Sequence, residues 1–126
     1  MKKFIVGVAA ALAMAMSSSA YAQDSAAAKP LGYMIANYQI NDKAGFQQYL
    51  DAAGSLVAEY GGRVIVFNLN ATAIEGSPKS VIAIAEFPTV DGALRFYNSP
   101  EYSAARKFRI ASTEGSVIIT EGLLQK

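Results

Sequence analysis

Val81–Tyr102 reads VIAIAEFPTVDGALRFYNSPEY, and how that stretch folds decides the architecture of the whole chain. Ser80–Phe87 is apolar on both alternating faces apart from Glu86, the pattern of a central strand covered on both sides. Pro88 stops it. Thr89 then caps a helix running through Asn98, with Asp91 in the first turn where an acid suits the helix dipole. Ser99-Pro100-Glu101 is a second helix start, with a capping serine, proline at the first helical position and an acid beside it.

On the N-terminal side, Gly76-Ser77-Pro78-Lys79 is a turn. Arg63–Asn68 (RVIVFN) reads as a strand, and Ala71–Glu75 as its continuation after an irregular step at Asn70. Before it, Asn41 or Asp42 caps a helix. Phe46, Tyr49, Leu50, Ala53, Leu56, Val57 and Tyr60 recur there at steps of three and four, and Gly61-Gly62 ends the run. Gly32–Ile40 is a strand with Met34, Ala36, Tyr38 and Ile40 on an apolar face that should meet helices. Its other face, Tyr33, Ile35, Asn37 and Gln39, either is wet or lines a cavity. On the C-terminal side, Tyr102, Ala105 and Phe108 form an apolar helical stripe, flanked by Arg106, Lys107 and Arg109 as a solvated face. Glu114-Gly115 ends that helix, Ser116–Glu121 is the last strand, and 123–126 is a tail.

The order β-α-β-β-α-β, with the second helical unit broken at Ser99-Pro100, predicts an α+β, ferredoxin-like domain over residues 32–122. Its four strands form one antiparallel sheet with helices on one face. Ile, Val and Phe side chains remain on the other face, and a bare apolar sheet is a large exposed patch on so small a protein. Packing two sheets face to face removes it, which predicts a homodimer in the form of a dimeric α/β barrel.

The first 22 residues stand apart. Lys2 and Lys3 precede the uncharged apolar run 4–16, then three serines and Ala20-Tyr21-Ala22. This is the pattern of a cleaved secretory signal peptide, and the run is too short to span ~30 Å of hydrocarbon. The expectation is a periplasmic or secreted protein, not held in the membrane after cleavage, with a flexible lead-in over 23–31. Cleavage takes away two lysines and no acid, so 9 basic and 10 acidic residues remain, a net charge of −1. That balance gives no electrostatic case for nucleic acid. The chain has no cysteine and no histidine, which removes disulfides, the commonest general base, the commonest metal ligand and the usual haem ligand. The acids are scattered without ligand spacing, so the reading assigns neither metal nor cofactor.

Gly32-Tyr33-Met34-Ile35-Ala36, Gly61-Gly62-Arg63, Glu75-Gly76, Glu86-Phe87-Pro88 and Phe96-Tyr97-Asn98-Ser99-Pro100-Glu101-Tyr102 follow one pattern in order. That pattern resembles a widespread bacterial family of unknown function in the dimeric α/β-barrel superfamily. The resemblance covers about residues 31–122. It implies a ferredoxin-like protomer and a barrel of two sheets, and it implies no established activity. Superfamily relatives include cofactor-independent monooxygenases, isomerases and members without known chemistry.

Glu86 is the first candidate for chemistry. Beside Ile82 and Ile84, a carboxylate can have a raised pKa and act as acid or base; alternatively it pairs with Arg63 or a helix N-terminus. Arg63 can hold a ligand carboxylate through its fork, or bridge Glu86 or Glu75. Tyr97 and Tyr102 are pocket-wall or core phenols, and Tyr33 and Asn37 line a cavity or a sheet-to-sheet interface. Ser99 needs no catalytic reading, because it is explained as a cap and no histidine is present to activate it. Three functions follow: a binder of a small apolar, aromatic or carboxylate-bearing ligand at Arg63, Tyr33, Asn37, Tyr97 and Tyr102; a cofactor-independent enzyme, monooxygenase- or isomerase-like, using Glu86; or a purely structural dimer.

Overall fold

The computed structural model describes residues 29–124, so the signal peptide, most of the lead-in and the end of the tail lie outside the described residues. The elements are β1 (Gly32–Ile40), α1 (Lys43–Ala53), α2 (Leu56–Glu59), β2 (Arg63–Asn68), β3 (Val81–Phe87), α3 (Val90–Asn98), α4 (Pro100–Ser112) and β4 (Thr113–Glu121). The strands form one antiparallel sheet in the order β2-β3-β1-β4. This is the ferredoxin-like arrangement, with β1 central and the helices on one face.

Period-two alternation puts Met34, Ala36 and Tyr38 of β1 under the helices, opposite Ala85, Ala83 and Val81 of β3. All six are buried or nearly so, while Tyr33, Ile35 and Asn37 face the uncovered side with Glu86, Ile84 and Ile82. The core is strongly aromatic: Phe87 and Tyr102 both pack against Phe96, at 5.2 and 4.3 Å between ring centroids. The Asp42 side chain accepts from the Gly45 N–H, Thr89 from Gly92 and Ser99 from Tyr102, so each long helix starts on its own cap.

Four features differ from the sequence expectation. The first long helix breaks at Gly54–Ser55 and resumes as the single turn α2, where glycine and serine are weak helix formers. Ala71–Glu75 is not a strand: Asn68 accepts from the Asn70 N–H in a side-chain turn, and only Ala71 reaches back, to Ser80. The last strand begins at Thr113, not Ser116. The Ser112 carbonyl is taken by the Asn41 and Asp42 N–H groups, and the Ser112 and Thr113 hydroxyls bond carbonyls of the last turn, so α4 stops there. Gly115 therefore lies inside β4 opposite Tyr38, so close to β1 that a β-carbon would collide with the Asn37 carbonyl. The fourth difference concerns the face of α4: its buried stripe is Tyr102, Ala105, Arg109 and Ser112, and Phe108 is the exposed residue.

Candidate functional site

The predicted site residues separate onto the two sides of the sheet. On the uncovered side, Glu86 accepts from the Arg63 Nε at 2.9 Å and from the Tyr33 hydroxyl at 3.0 Å. These bonds hold its carboxyl below the usual carboxylate range, the Arg63 bond contributing most and Tyr33 next. Of the two readings open for Glu86, a raised pKa beside apolar neighbours or a pair with Arg63, the structure has the second: β3 brings it opposite Tyr33 and Arg63, and both favour its charged form. Tyr33 is pushed up in turn by its bond to Glu86. Asn37, further along the same face, donates to the Lys79 and Val81 carbonyls and accepts from the Lys79 N–H. Its amide ties the 69–80 connection to the sheet.

Tyr97 and Tyr102 belong to the helical layer. The Arg106 guanidinium lies 4.1 Å from the centre of the Tyr97 ring and donates to the Tyr97 carbonyl. Tyr102 is fully buried and hydrogen-bonds the Tyr49 hydroxyl at 2.8 Å. This second place holds the group that sequence reasoning missed. Arg109, expected on a solvated flank, is only 7 % exposed. Ala105 offers positions 108 and 109 equally as the next inward step, and the structure turns Arg109 inward, toward the phenols of Tyr38, Tyr49 and Tyr102.

Arg109 stands in the last turn of α4, where the helix dipole favours a cation. Its guanidinium is 5.8 Å from the centre of the Tyr38 ring and 5.9 Å from that of Tyr49. Its Nε is buried without a hydrogen-bond partner. Among the described residues the ion pairs are Arg63–Glu86 and Lys79–Glu114, so no carboxylate answers the Arg109 charge. Burial works against that charge, yet the oxygen of Tyr102, with Tyr49 and Tyr38 behind it, outweighs burial and leaves the pKa above its ordinary value. Burial is also the main cause that raises Tyr38 to about 12 and pushes Tyr49 further up.

These groups close the deep end of a cavity of about 110 Å³ between the helices and the sheet. Its floor is made of small side chains, Ala36, Ala83 and Ala85, and its roof of Ala53 and Gly54. A visible signal lay in YMIANY and VIAIAEF: alanines stand at core-facing positions where strands ordinarily carry Val or Ile, which leaves the layers incompletely filled. With a fixed cation, and with Tyr38 and Tyr49 protonated at neutral pH, the site can hold an oxyanion and donate hydrogen bonds to it. Among the described residues no three His, Cys, Asp or Glu gather as metal ligands, and no helix is long and apolar enough to cross a membrane.

Comparison with known families matches residues 31–123, almost the whole described chain. The chain belongs to the DUF1330 family, a domain of unknown function. No curated protein matches it. Among solved structures it is similar to a protein of unknown function from Rhodopseudomonas palustris, at 20 % identity and a TM-score of 0.64, covering 85 % of this chain and 94 % of that one. It is also similar to a cofactor-independent oxygenase from Streptomyces nogalater, at 12 % identity and a TM-score of 0.57 over 77 % and 97 % of the two chains. A dimeric ferredoxin-like protein of unknown function from Thermobifida fusca matches at 17 % identity and a TM-score of 0.54, over 75 % and 92 %. At these identities the likeness establishes the ferredoxin-like fold of this DUF1330 chain.

Proposed function

We propose that this DUF1330 protein is an exported homodimer that binds a small carboxylate-bearing ligand with an apolar body in the cavity below Arg109. The observation that carries the reading is Arg109 itself: a guanidinium buried beside a cavity, with an unpartnered Nε and no ion pair to an acid among the described residues. Desolvating a cation without a counter-charge costs several kcal/mol, and a ligand carboxylate is the group that would offset it. The phenols supply neutral donors, and the alanine floor supplies apolar contact. Glu86 and Arg63, which the sequence put forward, are already satisfied by each other on the far side of the sheet. That side is where the second protomer would sit, since Ile118 there is 56 % exposed beside Ile35. The dimeric relative supports that reading, and the leader pattern of residues 1–22 supports export.

The test is calorimetric titration of the purified mature protein with butanoate and with 1-butanol, repeated on Arg109→Met. Wild type is expected to bind butanoate at least tenfold more tightly than the alcohol, and the variant to lose that preference. Equal affinity for both compounds in wild type would refute the assignment.

A further inference from the structure

Resting on that reading of Arg109, we propose that the ligand is an alkanoate whose chain leaves the cavity along an apolar groove between α1 and β2. The enclosed space is too small for the alternative of a compact, fully sequestered ring. At about 110 Å³ it falls below the roughly 150 Å³ that accommodates benzene, so it holds a carboxylate and a few carbons. A longer body must continue outward, and the structure provides one direction for it.

Val64 and Phe67 of β2 turn to the helix side of the sheet, opposite Ala85 and Ala83. The helices do not reach over this edge, so Val64 remains 55 % and Phe67 47 % exposed. Leu50 and Phe67 line both the Arg109 cavity and the neighbouring depression, which runs on along α1 past Leu69 to Lys43. The two hollows meet at Leu50 and Phe67, with a buried cation in the first and a mostly apolar lining in the second, where Gln47, Ser80 and Lys43 are the polar members. That polarity matches a molecule with one anionic end and a hydrocarbon tail.

A second copy of the chain fits this edge less well. β2 carries a register shift between Val64 and Val66, and a bulge of that kind disturbs the hydrogen-bonding edge that an added strand would need. The Arg109 charge, faced by phenols and paired with no carboxylate among the described residues, also asks for an anion, which a strand backbone does not bring.

The experiment is a titration of the mature protein with butanoate, hexanoate, octanoate and decanoate, with 1-octanol as the uncharged control, alongside sedimentation of the same samples. Affinity is expected to rise about two- to fourfold per added methylene as each is taken from water. 1-Octanol should bind at least tenfold more weakly than octanoate. Leu69→Ser, an exposed substitution that lines only the outer hollow, should flatten the dependence on chain length while leaving butanoate binding unchanged. If butanoate binds through Arg109 but affinity stays level from butanoate to decanoate, the groove is overturned and the carboxylate site stands. If no carboxylate binds, both fall. A change in sedimentation on Leu69→Ser with no change in the chain-length series would assign the groove to a second copy and overturn the proposal.

Discussion

Arg109 carries opposite consequences for stability and for binding, and the two can be separated. A buried guanidinium without an acid partner is held at a cost, and replacing such a charge by an apolar side chain of similar length is often neutral or stabilising by ~1–4 kcal/mol. Arg109→Met is therefore expected to unfold at the same or a higher urea concentration than wild type while losing carboxylate preference. A fall of ~3 kcal/mol or more would mean that the guanidinium is held by structural bonds, since that is the cost of breaking a satisfied buried pair. Glu86 gives the contrasting case. Its folded-state pKa lies below the ordinary 4.5, with the Arg63 bond the larger cause. The stabilisation it brings is present above the unfolded value and disappears as pH falls through the folded one. Glu86→Gln should lower the urea midpoint at neutral pH, and its gap from wild type should close on acidification below about pH 4.5. A gap of constant size down to pH ~3 would show that Glu86 acts by packing and not by charge.

Among the elements, the junction between α3 and α4 concentrates the most local information. Ser99 is buried, donates to the Phe96 carbonyl at 2.8 Å and accepts from the Tyr102 N–H at 3.2 Å. It closes one helix and opens the next, and it sets the direction from which Tyr102 and Arg109 enter the core. Ser99→Ala is expected to cost about 1–2 kcal/mol in denaturant unfolding, the range for losing a buried cap. A loss below ~0.5 kcal/mol would show that Pro100 and tertiary packing suffice to position α4. The strand boundaries were less legible than this junction. Nothing local in Thr113-Glu114-Gly115 marks a strand, and those residues become one because β1 lies beside them with free bonding groups from Gln39 and Ile40. Gly115 looks like a helix stop and is in fact a point of close approach between two strands.

For the whole molecule, the uncovered face of the sheet is where the proposed dimer would form. Ile35, Ile82, Ile84 and Ile118 stand on it around the Tyr33–Glu86–Arg63 cluster. An apolar sheet face of this kind is stable in water when a second sheet covers it. Ile118→Glu puts a charge in the centre of that face and should convert a dimer to a monomer in sedimentation at micromolar concentration. Unchanged sedimentation of the variant would mean that the contact lies elsewhere. The variant should keep the Arg109 cavity, which is on the opposite side of the sheet, so its carboxylate affinity separates assembly from binding.

The strand–proline–helix–serine–proline run of 81–102, the one-sided helix from Lys43 and the alternation in Gly32–Ile40 determined the fold, because burial of an apolar period needs only local order to be read. The caps at Asp42, Thr89 and Ser99 were legible for the same reason: each is satisfied within three residues. The pairing of Glu86 with Arg63 was one of two readings that the residues allowed, and the β2–β3 register chose it. The site below Arg109 was decided by tertiary structure alone. Tyr38, Tyr49, Tyr102 and Arg109 come from three elements, and one-dimensional periodicity treats an arginine beside an apolar stripe as solvated. Only when α4 lies against α1 over a floor of alanines does that side chain find phenols and an unfilled space, and with them a reason to be inside.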